Sequence, residues 1–232
     1  MMLKLRNVTP STVIWITASN CVANATLTSA RSNTVSAVVT LLESITTLVS
    51  TPPDVRRNLN PGARIFSGQT LIIPQGVTLI VSQEFPIDAG GSIMNYGTII
   101  VNNATGTGTI IINGTITNVL GGTIENSGTI HNNSNTIINS GAMLNQNTGT
   151  LNNNGRMVNE GSGVFTNVGI FNNNEAGTLT LNPRSNFDNR GTLNIAIASI
   201  FTNEVGATFV NNNGGTLTHG PTPTTPTTPT PT

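Results

Sequence analysis

The sequence predicts an all-β fold, a single-stranded parallel β-helix (β-solenoid) of about seven three-sided turns. A five-residue phrase carries this prediction: a small residue, usually Gly, any residue, an apolar residue, any residue, and Asn. One copy reads Gly122-Thr123-Ile124-Glu125-Asn126, and copies recur every six to eight residues between positions 91 and 211. Three consecutive spacings sum to 20–22 residues through most of the run from Ile116 to Phe201, which is the length of a three-sided turn. A unit this short cannot bury its own apolar face, so successive units must stack into a rod.

Each position of the phrase has a predicted place in the coil. Side chains alternate faces along a strand, so the apolar residue and the Asn two positions later both point inward. Asn side chains stacked at successive corners can pair their amides with groups above and below, forming ladders. Gly is expected at the corners, where it adopts backbone conformations that a Cβ disfavours. The outward Thr and the residue before Asn are left for contacts with other molecules.

One inward anchor per strand gives a predicted core of twenty-one residues, three per turn. At ~4.8 Å per rung, seven turns make a rod roughly 30–35 Å long. The anchors are Leu71, Leu79, Ile87, Ile93, Ile99, Ile110, Ile116, Ile124, Ile130, Ile137, Met143, Leu151, Met157, Phe165, Phe171, Leu179, Phe187, Leu193, Phe201, Phe209 and Leu217.

Three segments of the chain differ in composition. Residues 1–60 lack the repeat, residues 61–219 carry it, and residues 220–232 consist of Gly220 followed only by Pro and Thr. The last segment is predicted to be a disordered, extended tail. Near the start, Lys4 and Arg6 precede Val13-Ile14-Trp15-Ile16, and Ala23-Asn24-Ala25 resembles a signal-peptidase site. That stretch is either a cleaved signal or a short buried strand.

The N-terminal segment contains a predicted amphipathic helix at about residues 33–50. Apolar residues such as Val35, Val38, Leu42 and Ile45 fall at helical spacing, and the helix should stop before Pro52. Two roles remain open. The helix can cap the solenoid, whose terminal rung exposes unpaired backbone and apolar core. The same residues also fit a heptad seam, which would make the helix an oligomerisation element.

The composition excludes several classes of function. Charged residues are only 8% of the chain, and nine basic residues cancel nine acidic ones, so no basic patch for nucleic acid is expected. No apolar run approaches the ~20 residues that cross a membrane, so membrane insertion is not expected. Cys21 is the only cysteine, which excludes an internal disulfide.

The ionisable residues do not suggest a catalytic, metal or cofactor site. Glu84 with Glu125, and Glu160 with Glu204, lie near a two-turn spacing, about 10 Å apart at ~4.8 Å per rung. Paired carboxylates work within ~5–10 Å, so these pairs are marginal, and chance spacing explains them better. Further candidates are an Asp188–Arg190 turn salt bridge and the histidines His131 and His219, which lack partners at metal-ligand spacing. The alternative to a non-enzymatic role is that of a carbohydrate-active β-helix enzyme, a lyase or a hydrolase.

An ice-binding surface is a third hypothesis, because flat arrays of Thr-x-Thr on a solenoid face can order water. Other copies of the phrase carry different residues at these outward positions, so the array is broken. The outward pairs are Thr115/Thr117, Thr178/Thr180 and Thr216/Thr218.

The Gly-Thr-Ile/Leu-x-Asn run over residues 62–219 resembles Asn/Gly/Thr-rich β-solenoid surface proteins. These include haemagglutinin-type bacterial adhesin repeats and repeat proteins encoded by large DNA viruses. The resemblance implies a non-enzymatic structural or adhesive protein, a rigid spacer or fibre segment of a cell or virion surface. Such a protein would be extracellular and would contact glycans, a cell surface or its own copies as a trimer or filament.

Overall fold

A computed structural model describes residues 25–27, 36–39, 55–59, 62–102, 108–212 and 214–220. All regular elements within these residues are strands. In chain order they are β1 (Ala25–Leu27), β2 (Ser36–Val39), β3 (Val55–Leu59), β4 (Thr70–Ile73), β5 (Val77–Val81), β6 (Glu84–Ile87), β7 (Ser92–Asn95), β8 (Thr98–Val101), β9 (Thr109–Ile112), β10 (Thr115–Asn118), β11 (Thr123–Asn126), β12 (Thr129–Asn132), β13 (Thr136–Asn139), β14 (Ala142–Asn145), β15 (Thr150–Asn153), β16 (Arg156–Asn159), β17 (Val164–Asn167), β18 (Ile170–Asn173), β19 (Thr178–Leu181), β20 (Asn186–Asn189), β21 (Thr192–Ile195), β22 (Ile200–Asn203), β23 (Thr208–Asn211) and β24 (Thr216–His219).

The strands wind into a parallel coil with three strands per turn. From β4 onward each strand pairs in parallel with the strand three positions later, so β4 to β24 make seven turns. The β4 sheet (β4, β7, β10, β13, β16, β19, β22) and the β6 sheet (β6, β9, β12, β15, β18, β21, β24) have seven strands each. The β5 sheet (β5, β8, β11, β14, β17, β20, β23) also continues through β3, β2 and β1 to ten strands. The predicted parallel β-solenoid of about seven turns is confirmed.

The interior is the predicted apolar column. Eighteen of the twenty-one anchors are buried, and those that are not fully buried belong to the last turn. There, Phe201 and Phe209 pack against the core only in part, and Leu217 is 44% exposed. Aromatic rings fill the C-terminal half: Phe165 stacks on Phe187 with centroids 4.5 Å apart. Aromatic pairs of this geometry add stability beyond the area that they bury.

One anchor was assigned to the wrong residue. In β6 the residue aligned with the neighbouring anchor Ile110 is Phe85, whereas Ile87 aligns with Ile112 at the position where later turns hold Asn. Both Phe85 and Ile87 are buried. This strand reads Glu-Phe-Pro-Ile, without the phrase's Gly or Asn, so two inward apolar residues compete for the anchor position.

The predicted helix at about residues 33–50 is not confirmed. Within that span the structure describes only Ser36–Val39, which form β2, antiparallel to β1 and parallel to β3. The edge of the β5 sheet offers backbone partners there, and β-branched valines suit a strand. The rest of that span, the candidate signal region before residue 25 and the Pro/Thr tail from residue 221 lie outside the described residues. Among the described residues, no helix has the length and apolar character needed to span a membrane.

Candidate functional surfaces

Three ladders of asparagines run along the inside of the rod, and all of their members except Asn211 in the last turn are buried. In each ladder the side-chain Nδ2 of one Asn donates to the Oδ1 of the Asn one turn later, at 2.6–2.8 Å. Most of these amides also donate to a backbone carbonyl of the following turn, as Asn145 does to Ile170 at 2.9 Å. The predicted corner ladders are therefore confirmed. Their members are Asn95, Asn118, Asn139 and Asn159 in the β4 sheet, Asn126, Asn145, Asn167, Asn189 and Asn211 in the β5 sheet, and Asn132, Asn153 and Asn173 in the β6 sheet.

The ladders have a direction and a defined start. Every ladder amide donates towards the C-terminal end of the rod, so the first Asn receives no bond from the turn before it. The preceding rung holds Ile73 before Asn95 and Ile112 before Asn132, and neither side chain can donate. Asn95 Oδ1 and Asn132 Oδ1 are accordingly buried without a hydrogen-bond partner. These oxygens mark the ends of ladders and do not form a ligand site.

The glycine of the phrase is required for space and not for an unusual backbone angle. Its residues, such as Gly141, lie outside the left-handed region, which is occupied by other glycines such as Gly121. A Cβ added to Gly141 would lie 2.3 Å from the carbonyl oxygen of Gly122, one turn earlier. That carbonyl accepts the N–H of Ala142 at 2.9 Å, so the turns cannot separate without breaking the bond. The expectation that this glycine is needed for its backbone conformation was wrong.

The outward face of the β6 sheet carries an ordered polar array, called the Thr/Asn face below. Asn194 donates from Nδ2 to Asn172 Oδ1 at 2.7 Å, and Asn172 donates to Asn152 Oδ1 at 2.8 Å. Asn152 Nδ2 lies 3.2 Å from the ring Nδ1 of His131, which accepts a hydrogen bond from the amide in the tautomer that carries its proton on Nε2. Beside this column runs a second one, formed by Thr109, Thr129, Thr150, Ile170, Thr192 and Thr216.

From β9 to β24 the Thr/Asn face carries no Asp, Glu, Lys or Arg, and it keeps hydrogen-bonding capacity. A primary amide has two N–H donors and two acceptor lone pairs, and a bond within the column uses one of each. The remaining donor and acceptor of each amide recur at ~4.8 Å steps. Asn152, Asn172 and Asn194 are not among the candidate residues that the sequence predicts. Their signal was Asn in the position before the corner residue, repeated at spacings of 20 and 22 residues.

The structure places one candidate carboxylate pair on different faces and the other pair two turns apart at one corner. Glu84 lies in the β6 sheet and Glu125 in the β5 sheet, so their near two-turn spacing does not place them on one face. Glu160 and Glu204 follow β16 and β22 at the same corner, with Asn182 in the intervening turn. Two rungs at ~4.8 Å put these backbones about 10 Å apart. No two of these carboxylates face each other on adjacent turns.

The other charged candidates form local contacts. Arg190 pairs with Asp188 at 2.6 Å, which confirms the predicted turn salt bridge. Asp88 binds Arg64, and its hydrogen bond and charge raise the pKa of that guanidinium. Within the part of the chain that the structure describes, no three His, Cys, Asp or Glu side chains are grouped closely enough to hold a metal ion.

The outward Thr-x-Thr pairs do not form one array. Thr115/Thr117 on β10 and Thr178/Thr180 on β19 share the β4 sheet but lie three turns apart, whereas Thr216/Thr218 lie on β24 in the β6 sheet. The intervening strand β16 presents Arg156 at the equivalent position. The arrangement does not support an ice-ordering face on the β4 sheet.

No protein-family model matches this chain, and no curated protein matches it. Solved structures that resemble it include the crystal structure of the TibC-catalysed hyper-glycosylated TibA fragment. That similarity has 14% sequence identity and a TM-score of 0.22, and it covers 79% of this chain and 95% of the other. A TM-score this low carries no argument about function.

Proposed function

We propose that this chain is a non-enzymatic structural or adhesive protein, a rigid β-solenoid spacer or fibre segment of a cell or virion surface. The observation that carries the proposal is the in-register stacking of twenty-one strands around a continuous interior of apolar anchors and Asn ladders. The architecture is built for length and stiffness, because every turn is bonded along its whole perimeter to the next. We place the protein outside the cell, where neutral, Thr- and Asn-rich surfaces are common.

The contact surface that we assign to an adhesive role is the Thr/Asn face. Its amides are held by their neighbours, so binding would order few additional side chains and lose little conformational entropy. It offers repeated donors and acceptors without net charge. Glycans, whose hydroxyl groups both donate and accept, are the partner class that matches this chemistry.

The arrangement of the carboxylates favours this role over the carbohydrate-active enzyme. Glycosidases of both stereochemical types place two carboxyl groups across the scissile bond, within ~10 Å. Glu84 and Glu125 occupy different faces, and Glu160 and Glu204 follow one another along a single corner. Neither pair of carboxylates could therefore lie on opposite sides of a scissile glycosidic bond.

Affinity electrophoresis through gels containing neutral polysaccharides tests the adhesive role. We expect retardation of the wild type, its loss in Asn172→Arg on the Thr/Asn face, and its retention in Thr166→Arg on the β5 sheet. Both side chains are half-buried and point outward in adjacent strands, so they form a matched pair. Equal loss in both variants would refute the assigned face. Release of reducing ends or unsaturated sugars during the same incubations would refute the non-enzymatic role.

A further inference from the structure

Within residues 62–220, gaps aside, the C-terminal end of the rod is an open surface with an apolar centre. In the last turn, β22 to β24, Phe201 and Phe209 are only partly buried and Leu217 is exposed, whereas the equivalent anchors Phe187 and Leu193 are fully buried. Phe209 still continues the aromatic column, with its ring 5.3 Å from that of Phe187. The core therefore reaches the end of the rod without a covering layer among the described residues.

The rim of this end presents unfilled hydrogen-bonding positions. In the turn before it, the carbonyls of Leu181, Asn189 and Ile195 accept N–H groups of the last turn at 2.9–3.0 Å. The corresponding carbonyls of Asn203, Asn211 and His219 have no following turn in the described chain. Because the Asn ladder of the β5 sheet also ends here, the surface combines an apolar centre with polar groups at its rim.

The two ends of the rod have different shapes. At the C-terminal end all three sheets stop within one turn of the described chain, which makes a flat surface. At the N-terminal end of the described chain the β5 sheet continues through three further strands, β6 is bridged by Ile65, and the β4 sheet begins at β4. The flat C-terminal end of another copy could not contact β4 and β6 at the same time, because the extra strands of the β5 sheet project beyond them. It can, however, meet a second flat end.

We infer that two copies of this chain associate tail to tail through the β22–β24 end. A two-fold axis perpendicular to the rod would bring the edge strands of the two copies together in antiparallel pairs. The rim carbonyls would then gain N–H partners, and Phe201, Phe209 and Leu217 would be covered by the same residues of the other copy. Such an isologous contact closes at two copies and does not propagate.

Charge and size are consistent with this partner. Glu204 and His219 are the ionisable side chains of the last turn, so two copies bring no concentration of like charge together. The turn spans residues 200–219. That length offers about 20 residues a side, the lower end of what stable interfaces use, so we expect a reversible dimer. The following segment, residues 221–232, holds five prolines, which lack the N–H that a covering strand would need.

Sedimentation equilibrium of the full chain, from about 1 to about 200 μM, tests the inference across the range expected of a small interface. We expect the mass to rise from 24.1 kDa to twice that value and to stop there. Small-angle scattering should show the maximum dimension roughly doubling, as end-to-end contact requires. A monomer throughout this range would overturn the inference, because the β22–β24 end would then not be covered by a second copy. So would trimers or continued growth.

Two charged variants locate the contact. Asn211→Lys places a charge on an exposed rim position of each copy, where Lys also disfavours edge pairing, so we expect dimerisation at least ~10-fold weaker. Val164→Lys introduces the same charge at a 42% exposed site two turns earlier and should leave the dimer intact. Leu217→Lys on β24 supplies an independent rim variant if Asn211→Lys fails to fold. Equal behaviour of the rim variants and Val164→Lys would overturn the inference.

The inference is independent of the proposed adhesive role. A dimer that binds no polysaccharide would support the tail-to-tail contact alone. A monomer that is retarded by polysaccharide would support adhesion alone.

Discussion

The Asn ladder of the β6 sheet predicts that two chemically identical substitutions differ in cost. Asn132 starts this ladder and Asn153 lies in its middle, followed by Asn173. Replacing either residue with Leu removes one amide. The same column already holds Ile112 below and Ile195 above, so a branched apolar side chain fits this position, and the packing terms of the two variants should be similar.

The difference comes from counting unpaired oxygens. In the wild type Asn132 Oδ1 has no partner. Asn132→Leu removes that oxygen but leaves Asn153 Oδ1 unpaired. The number of buried oxygens without a hydrogen-bond partner therefore stays at one. Asn153→Leu leaves Asn132 Oδ1 unpaired as before. It also removes the donor to Asn173 Oδ1, which becomes a second unpaired oxygen. One extra buried unpaired group costs about 1–3 kcal/mol, so Asn153→Leu should be the more destabilising change by that amount.

Guanidinium denaturation followed by far-UV circular dichroism measures both variants against the wild type. The dependence of the unfolding free energy on denaturant concentration shows whether the rod unfolds in one step. If it unfolds in several steps, amide hydrogen exchange in the strands around the substitution measures the local free energy of unfolding. Equal destabilisation, or a larger effect of Asn132→Leu, would refute the directional ladder.

Three further variants test the interior by thermal or chemical denaturation. Ile130→Asp puts a charge at a buried anchor and should cost at least ~3 kcal/mol of unfolding free energy. The adjacent outward substitution Thr129→Asp should change stability by less than ~1 kcal/mol. Equal tolerance of the two would contradict the assignment of Ile130 to the interior. Gly141→Ala forces a Cβ to within 2.3 Å of the Gly122 carbonyl and should cost about 1–3 kcal/mol, so a stabilising effect would contradict the close approach. Phe187→Leu loses a ring stacked at 4.5 Å and should cost about 1–2 kcal/mol, and a neutral result would contradict the aromatic column.

The phase of the repeat was predictable because it follows from strand geometry. Alternation assigns Ile124 and Asn126 to the interior and Thr123 to the outside, and the structure has this pattern. Three strands per turn followed from spacings that, taken three at a time, sum to 20–22 residues through most of the repeat. The assignment failed at β6, where Phe85 and Ile87 are both apolar and inward and no Asn marks the second position.

Features that depend on neighbouring turns were not predictable. The sequence shows a glycine at position 141 but not the Gly122 carbonyl that lies against it one turn earlier. The steric reason for this glycine is therefore visible only in the structure. The outer amide column at Asn152 and Asn172 is equally invisible in a chain where Asn is common. It becomes apparent only when the register places these residues on consecutive rungs.

The distance between two spin labels tests the winding most directly. Met94 and Thr180 lie at equivalent outward positions of β7 and β19, 86 residues apart in sequence and four turns apart in the rod. With Cys21→Ser as background, pulsed electron paramagnetic resonance on Met94→Cys/Thr180→Cys should give a backbone separation of about 19 Å after allowance for the labels, from four rungs at ~4.8 Å. Two strands per turn would instead place these positions six rungs, about 29 Å, apart. A distance at or beyond that value would contradict the three-sided solenoid.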